Sequence, residues 1–369
     1  MSHVQKQVQQ AIDQLVDTGA ERGIQVAAYQ QGELVVDAIA GIADPTTGRP
    51  VVADTSFYNY SIVKGAAATL AHMLVERGTF GYDTPLVELW PEFGAHGKQN
   101  VTVRHVLSHS AGVPGIPLTT TLEDLCDWDK MCAAIADSEL WWEPGTKVGY
   151  HAYTFGYLIG EVIRRATGKP ISQVLLQEVS GPLGVGKEIY FGMPKSEHHR
   201  LAVLEDAETE AGPMADMPPD LPMFKAGPMS TMPTATLGNR ADILAADIPA
   251  GGKTSARAIA RMYAALVGEV DGIRLVSPET LRTATAVAMA GTDAIFGMPT
   301  KWGLGYAIGG LGTANDSDTV FGVGGAGGTF AFGDTATGIA FAVTKNRLTP
   351  DFNSASQLSQ LVTDALRKG

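Results

Sequence analysis

The chain has little cysteine and no long apolar run. Its two cysteines among 369 residues, Cys126 and Cys132, form neither a CxxC pair nor a zinc-binding spacing, so we expect free thiols, no disulfide framework and no metal site. No run of 18 apolar residues is present to span a membrane, and the first residues carry no apolar export signal. These absences are typical of a cytoplasmic protein without a membrane-spanning segment.

Positive charge is also scarce. Lys and Arg number 27 against 39 Asp and Glu, which gives a formal net charge of −12. No basic patch or aromatic-basic interleaving occurs, and this argues against a nucleic-acid partner. Hydrophobic residues make up 45% of the chain and charged residues 18%, as in ordinary globular proteins.

Strand patterns lie near both ends of the chain, and helix patterns fill the middle. Two apolar runs flank Gln31-Gly32 and predict a hairpin of strands 24–29 and 34–43. Further strands are predicted at 303–308, 329–333 and 338–344, and helices at 4–18, 61–77, 102–109, 121–137, 152–167, 171–180, 255–266, 278–289 and 354–367.

This order predicts an α+β fold with about two domains. Residues 1–78 and 255–369 would form an α/β sandwich domain with an antiparallel sheet, and residues 79–254 an inserted all-helical domain. Within the insertion, a loop rich in Met and Pro at 212–233 either lies over a pocket or merely covers the core.

A serine and a lysine three positions apart, Ser61 and Lys64, open a long apolar helix. This spacing places them on one helix face, where an amine can act as base for a hydroxyl. The amine needs a pKa well below about 10.4, which requires burial or a cationic neighbour. The alternative is a helix-initiating serine followed by a surface lysine, and the spacing alone leaves both interpretations open.

A turn containing Glu-Pro-Gly at 143–145 delivers Tyr150 to the start of the helix predicted at 152–167. A tyrosine at such a junction can point its phenol into a cleft and exchange protons with a neighbouring amine and hydroxyl. The alternative is a half-buried core tyrosine with a satisfied hydroxyl. The adjacent His151 either lines the same cleft or makes structural hydrogen bonds.

Three motifs suggest other chemistry, but each lacks its context. Residues 322–327 fit GxGxxG, yet a strand rather than a helix is predicted to follow, which argues against a dinucleotide site. Residues 252–254 read Gly-Lys-Thr, but position 247 is Asp where a P-loop needs glycine, so this lysine is interpreted as a loop residue. His105 and His109 lie four apart without the Glu of a zinc motif, which favours a structural or capping role.

Four stretches together resemble the serine β-lactamase-like superfamily, and most closely its class C-like hydrolases and family VIII carboxylesterases. They occur in the family's order and span most of the chain: 61–64 (SIVK), 102–112 (TVRHVLSHSAG), 143–156 and 321–329. The Ser-x-x-Lys group is characteristic of β-lactamases and penicillin-binding proteins. The resemblance implies a β-lactamase/penicillin-binding-protein-like fold and acyl transfer through a serine ester, without cofactor or metal.

The resemblance also implies roles for particular residues. Ser61 corresponds to the acylated nucleophile, Lys64 to its activating partner, and Tyr150 to the second base and leaving-group acid. The amide of Ala326, after the family's third motif, would join the Ser61 amide in the oxyanion hole. The expected substrate-binding positions are His151, Ala152, Val323, Gly324 and Gly325.

Two departures from the family pattern bear on the substrate. Ala152 stands where lactamases have Asn, and Val323 removes the Lys or His that would bind a substrate carboxylate or steer proton transfer. Both argue against β-lactam hydrolysis as the main activity, and the lack of an export signal argues against a cell-wall D-amino-acid peptidase.

Hydrolysis of small or medium carboxylic esters is the favoured interpretation. The alternative is an acyltransferase or transacylase of secondary metabolism that passes the same acyl group to an amine or alcohol. A binding protein without chemistry is disfavoured by the presence of Ser61, Lys64 and Tyr150. The sequence does not indicate an oligomeric state.

Overall fold

The computed structural model describes residues 2–208, 218, 220–309 and 317–367. In this part of the chain no helix is long and apolar enough to cross a membrane. The α-helices are α1 (His3–Asp17), α2 (Lys64–Glu76), α3 (Leu86–Leu89), α4 (Val103–Leu107), α5 (Leu122–Leu125), α6 (Trp128–Ala136), α7 (Thr154–Thr167), α8 (Ile171–Leu175), α9 (Pro222–Lys225), α10 (Ala235–Gly238), α11 (Ala241–Ala245), α12 (Ala256–Val267), α13 (Pro278–Thr285) and α14 (Asn353–Arg367). Single 3₁₀ segments occur at Tyr60–Val63, Pro91–Gly97, Lys195–Arg200 and Met229–Thr231, and a π turn at Leu176–Ser180.

The strands form one large sheet and two small ones. They are β1 (Gly23–Gln30), β2 (Glu33–Asp44), β3 (Arg49–Pro50), β4 (Phe57–Tyr58), β5 (Ile189–Tyr190), β6 (Glu205–Asp206), β7 (Lys253–Thr254), β8 (Met289–Thr292), β9 (Pro299–Trp302), β10 (Ala307–Ile308), β11 (Val320–Gly325), β12 (Thr329–Asp334), β13 (Ile339–Lys345) and β14 (Arg347–Leu348). The large sheet has the order β3-β2-β1-β13-β12-β11-β10-β9-β8, and its pairs are antiparallel. The small sheets are β4-β7-β5 and the parallel pair β14-β6.

The two ends of the chain meet in the middle of the large sheet. Strand β1 pairs with β13 from Ile24 opposite Lys345 to Gln30 opposite Ile339. Adjacent residues of β1 belong to separate hydrophobic cores, because side chains alternate across a strand. Ala28 packs beneath α1 and α14, whereas Ala27 faces α12 and the helical region. The sheet is therefore covered on both faces, with the N-terminal and C-terminal helices together on one of them.

The predicted antiparallel α+β fold is confirmed, and most elements lie within a few residues of their expected places. The β1–β2 hairpin turns at Gln31 and Gly32, which both have positive φ. Three expectations were wrong in detail. The segment 121–137 is divided into α5 and α6, the strand at 303–308 is replaced by β9 and β10 on either side of 303–306, and the middle of the chain contains the short strands β5, β6 and β7.

The proposed division into a sheet domain and an inserted helical domain remains a prediction. Of the 212–233 loop, residues 212–217 and 219 lie outside the described residues. The described remainder contains α9 and the 3₁₀ turn Met229–Thr231. Its Ala226 carbonyl accepts a hydrogen bond of 2.9 Å from the Ile116 amide, and Thr231 accepts one of 2.6 Å from the Tyr153 hydroxyl.

Candidate active site

Ser61 lies in a tight turn that leads directly into α2. Tyr60 before it has φ of 44°, a conformation uncommon for a residue with a side chain. Two backbone hydrogen bonds to Gly252 fix the turn. The Asn59 amide donates to the Gly252 carbonyl at 2.9 Å, and the Gly252 amide donates to the Tyr60 carbonyl at 3.3 Å. The 3₁₀ segment Tyr60–Val63 then places Ser61 and Lys64 on the same side. The distance between Lys64 Nζ and Ser61 Oγ is 2.9 Å.

Lys64 is buried, with 1% of its surface exposed. Its amine also contacts the carbonyl oxygen of Ala250 at 3.2 Å. Burial lowers the pKa of Lys64 to about 7, because desolvation disfavours the ammonium form. The alternative of a surface lysine is thereby excluded, and the amine has the environment that a general base needs at neutral pH.

Tyr150 reaches the same two groups from the other side. Lys64 Nζ lies 5.0 Å from the centre of its ring, and the neighbouring Ser61 hydroxyl lowers the pKa of its phenol. The ring packs against His109, at 4.8 Å between centroids, and against the aromatic rings of Phe296 and Trp302, both at 5.8 Å. Burial nevertheless raises the pKa of Tyr150 above its ordinary value; Ser61 opposes this rise, and the nearby Asp293 adds to it. A neutral phenol beside an amine of lowered pKa can donate a proton where the amine accepts one.

The turn at Ser61 is also in contact with β11. A Cβ on Gly325 would lie 2.3 Å from the Asn59 carbonyl oxygen, so only glycine permits this approach. Beyond Gly325, the half-buried Ala326 precedes Gly327 and Gly328, which have φ of 91° and 86° and turn the chain into β12. Among the hydrogen bonds of the described residues, none between backbone groups engages the amide of Ser61 or Ala326. Both amides are therefore free to donate to a ligand.

The segment 250–254 passes directly behind the Ser61 turn. Lys253, expected in a loop, is instead in β7 and wholly buried. Its amine donates to the carbonyls of Phe191 at 2.6 Å and Ile243 at 3.2 Å and lies 5.1 Å from the centre of the Tyr58 ring. The earlier interpretation was wrong because the sequence around this lysine does not show the strand pairing that buries it.

His151 was expected to contact substrate, and the structure contradicts this. Its side chain is wholly buried, Nδ1 donates to the Gly149 carbonyl at 2.7 Å, and Nε2 accepts from the Val113 amide at 3.3 Å. Both nitrogens are thus occupied by backbone groups. Its own amide donates to His109 Nδ1 at 3.0 Å, so that the two histidines fix the backbone beside Tyr150.

The two histidines with metal-like spacing have separate structural roles. His105 completes a capping box with Thr102 at the start of α4, as expected for a capping residue. His109 has φ of 56° and packs against Tyr150 and Trp302. Its buried Nε2 makes no hydrogen bond to the described residues. In the same part of the chain, no group of three or more His, Cys, Asp or Glu side chains could hold a metal ion.

A cleft of about 280 Å³ opens beside Tyr150. Val323 and Gly324, two of the expected substrate-binding residues, line it; Gly325 faces the Asn59 turn, and Ala152 is half-buried before α7. Sequence reasoning missed the other residues that line the cleft, which carry no recognisable motif and lie in the β8–β9 hairpin, in β10 and in the approach to α14. These are Asp293, Phe296, Met298, Pro299, Thr300, Trp302, Ala307 and Phe352.

Comparison with known proteins places this arrangement in a family. The family model described as beta-lactamase matches residues 8–363. The chain is 34% identical over 341 residues to the esterase/beta-lactamase LipL of Mycobacterium tuberculosis, a match that covers 88% of this chain and 76% of that protein. A crystal structure of a family VIII carboxylesterase is similar with a TM-score of 0.89 and 32% identity over 98% of each chain. EstA from Arthrobacter nitroguajacolicus is similar with a TM-score of 0.88 and 27% identity, covering 100% of this chain and 98% of that one. The chain therefore belongs to the beta-lactamase family, among its serine beta-lactamase and esterase enzymes.

Proposed function

We propose that this protein is a carboxylesterase that hydrolyses small or medium esters through an acyl ester on Ser61. The observation that carries the proposal is the distance of 2.9 Å between Ser61 Oγ and the amine of Lys64. Burial lowers the pKa of that amine to about 7, so a large part of it is neutral and able to accept the serine proton near neutral pH.

In the first step, Lys64 takes the proton of Ser61 as the serine oxygen attacks the ester carbonyl. The negative charge that develops on the carbonyl oxygen is stabilised by the amides of Ser61 and Ala326, which make no competing backbone hydrogen bond within the described residues. When the tetrahedral intermediate collapses, Tyr150 donates its proton to the departing alcohol. The proton held by Lys64 then restores the phenol.

The second step repeats the chemistry with water in place of the serine. Water attacks the acyl-Ser61 ester and gives its proton to the base formed by Lys64 and Tyr150. The new tetrahedral intermediate is stabilised by the same two amides, and its collapse returns the proton to Ser61 and releases the carboxylic acid. The cycle leaves each of the three side chains in its starting state.

The names of relatives support an ester substrate. Both LipL and the structure at 32% identity are described as esterases. The name of LipL also includes beta-lactamase, but Val323 offers no cation to a β-lactam carboxylate, and its side chain is 1% exposed. Ala152 offers no side-chain amide to such a ligand. We therefore place β-lactams, and D-amino-acid peptides, below simple esters as substrates.

The test is hydrolysis of para-nitrophenyl butyrate, followed by intact-mass measurement of the protein during turnover. We expect release of nitrophenol and a butyryl adduct on Ser61; Ser61→Ala should lose both, whereas Ser196→Ala, at an exposed serine, should lose neither. Absence of an adduct on Ser61 with every ester tried would contradict the proposal. Product analysis with added amines and alcohols distinguishes the alternative, because an acyltransferase would turn over faster only when an acceptor is present.

A further inference from the structure

Asp293 is a buried carboxylate in the wall of the cleft beside Tyr150. Its side chain is held by backbone amides: Oδ1 accepts hydrogen bonds from Ile295 at 2.8 Å and Phe296 at 2.9 Å. The next residue, Ala294, donates its amide to the Val148 carbonyl at 2.9 Å, and the Phe296 ring lies 5.8 Å from the Tyr150 ring. Only 5% of the residue is exposed. These contacts tie the loop after β8 to the residue that we propose as leaving-group acid.

The negative charge of Asp293 has no ion-pair partner among the described residues. Burial raises the pKa of its carboxyl, while the amide hydrogen bonds oppose this rise because they favour the ionised form. Of the described residues that line the cleft, Asp293 is the one with a formal charge. The surrounding side chains, Phe296, Met298 and Trp302, are apolar or aromatic and cannot compensate an anion.

We infer that Asp293 is a specificity-determining residue, whose carboxylate excludes esters with an anionic group on the alcohol side. The inference rests on the proposed esterase function. The alcohol side is the part concerned because Tyr150, which would protonate the departing alcohol, lines the same cleft as Asp293. An anionic group bound there would lose its hydration and lie near a like charge, without a cation from the cleft wall.

The matched substrates are the butyrate esters of para-hydroxybenzoate and para-hydroxybenzamide, which have nearly the same shape and differ in charge. At about pH 8 the carboxylate of the para-hydroxybenzoate ester is ionised, and we expect kcat/KM of the wild-type protein to be at least about tenfold higher for the para-hydroxybenzamide ester. Asp293→Asn keeps the carbonyl acceptor for the backbone amides but removes the charge. It should reduce this preference by about tenfold, mainly by improving turnover of the anionic ester. Asp129→Asn, at an exposed position on α6, changes the net charge equally and should leave the preference unchanged.

Comparing ratios between variants cancels the different intrinsic reactivities of the two esters. An unchanged ratio in Asp293→Asn, or a wild-type preference for the anionic ester, would overturn the inference while leaving the esterase proposal intact. If Asp293→Asn does not fold, or if neither ester is hydrolysed, binding of the two phenol products to the wild-type protein is measured by calorimetry. Weaker binding of para-hydroxybenzoate than of para-hydroxybenzamide supports exclusion by Asp293, and equal binding refutes it.

Discussion

The contact between β11 and the Ser61 turn can be tested by adding a single methyl group. In Gly325→Ala the new Cβ would lie 2.3 Å from the Asn59 carbonyl oxygen and 2.6 Å from Thr329 Oγ1. A carbon–oxygen contact needs more than about 3 Å, so the strand and the turn must separate by about 1 Å. The Asn59 oxygen belongs to the backbone and cannot rotate away. The displacement would therefore move the Ala326 amide relative to Ser61.

We expect Gly325→Ala to reduce kcat for para-nitrophenyl butyrate by about 10²- to 10³-fold, the usual cost of losing one oxyanion donor. The free energy of unfolding should fall by only about 1–3 kcal/mol, as for other overpacked sites. Gly324→Ala is the matched control, because its Cβ would meet only the Phe352 ring at an ordinary 3.4 Å. This control should change kcat by less than about fivefold. Equal losses in the two variants, or a Gly325→Ala enzyme with normal kcat, would refute the assignment of the oxyanion strand.

Two further predictions concern the proton-transfer groups. Because burial lowers the pKa of Lys64 to about 7 and the neutral amine is the base, kcat/KM should rise with pH and level off above about pH 8. Burial also lowers the pKa values of His109 and His151, that of His151 to about 4, so neither histidine accounts for this rise. Lys253→Met should keep the same pH profile, because Lys253, whose pKa burial also lowers to about 7, contacts Phe191 and Ile243 rather than Ser61. If kcat/KM of the wild-type protein rose only above about pH 9, this would contradict the role of Lys64. Tyr150→Phe should slow hydrolysis of ethyl butyrate by about 10²- to 10⁴-fold but that of para-nitrophenyl butyrate much less, because nitrophenolate leaves without a proton. Equal losses for both esters would exclude Tyr150 as the leaving-group acid.

The outline of the fold could be predicted because its signals are local. The β1–β2 hairpin has alternating apolar residues around a glycine turn, and α1 has Val4, Val8 and Ile12 on one buried face. Strands β9 and β10 lack such signals, because they have only 4 and 2 residues, too few to show an alternation of apolar and polar side chains. The glycine-rich β11 is similar, since its composition is dictated by close contact with the Asn59 turn rather than by strand propensity.

The residues of the candidate site could be predicted where they belong to a sequence motif. They could not be predicted where their role depends on burial or on neighbours that only the folded chain brings close. Ser61, Lys64 and Tyr150 come together as the resemblance implies, although their catalytic roles remain proposals. Asp293 could not be recognised, because an isolated Asp in a hairpin is ordinarily a solvated turn residue. His151 was misplaced for the opposite reason: its position next to Tyr150 suggests the cleft, but successive residues need not face the same way.

The most consequential feature of the site, the lowered pKa of Lys64, arises from contacts that are remote in sequence. With the ordinary pKa of about 10.4, fewer than about one lysine in 10³ would be neutral at pH 7, whereas a pKa of about 7 makes about half of them neutral. Part of this gain is offset because a weaker base accepts a proton less readily. The burial depends on the segment 250–254, whose Ala250 carbonyl contacts the amine and whose Gly252 holds the Ser61 turn. A Ser-x-x-Lys pair without a burying segment would have the same residues, but only a small fraction of its lysine would be neutral at pH 7. The segment 250–254 is therefore as much part of the proposed catalytic apparatus as the motif itself.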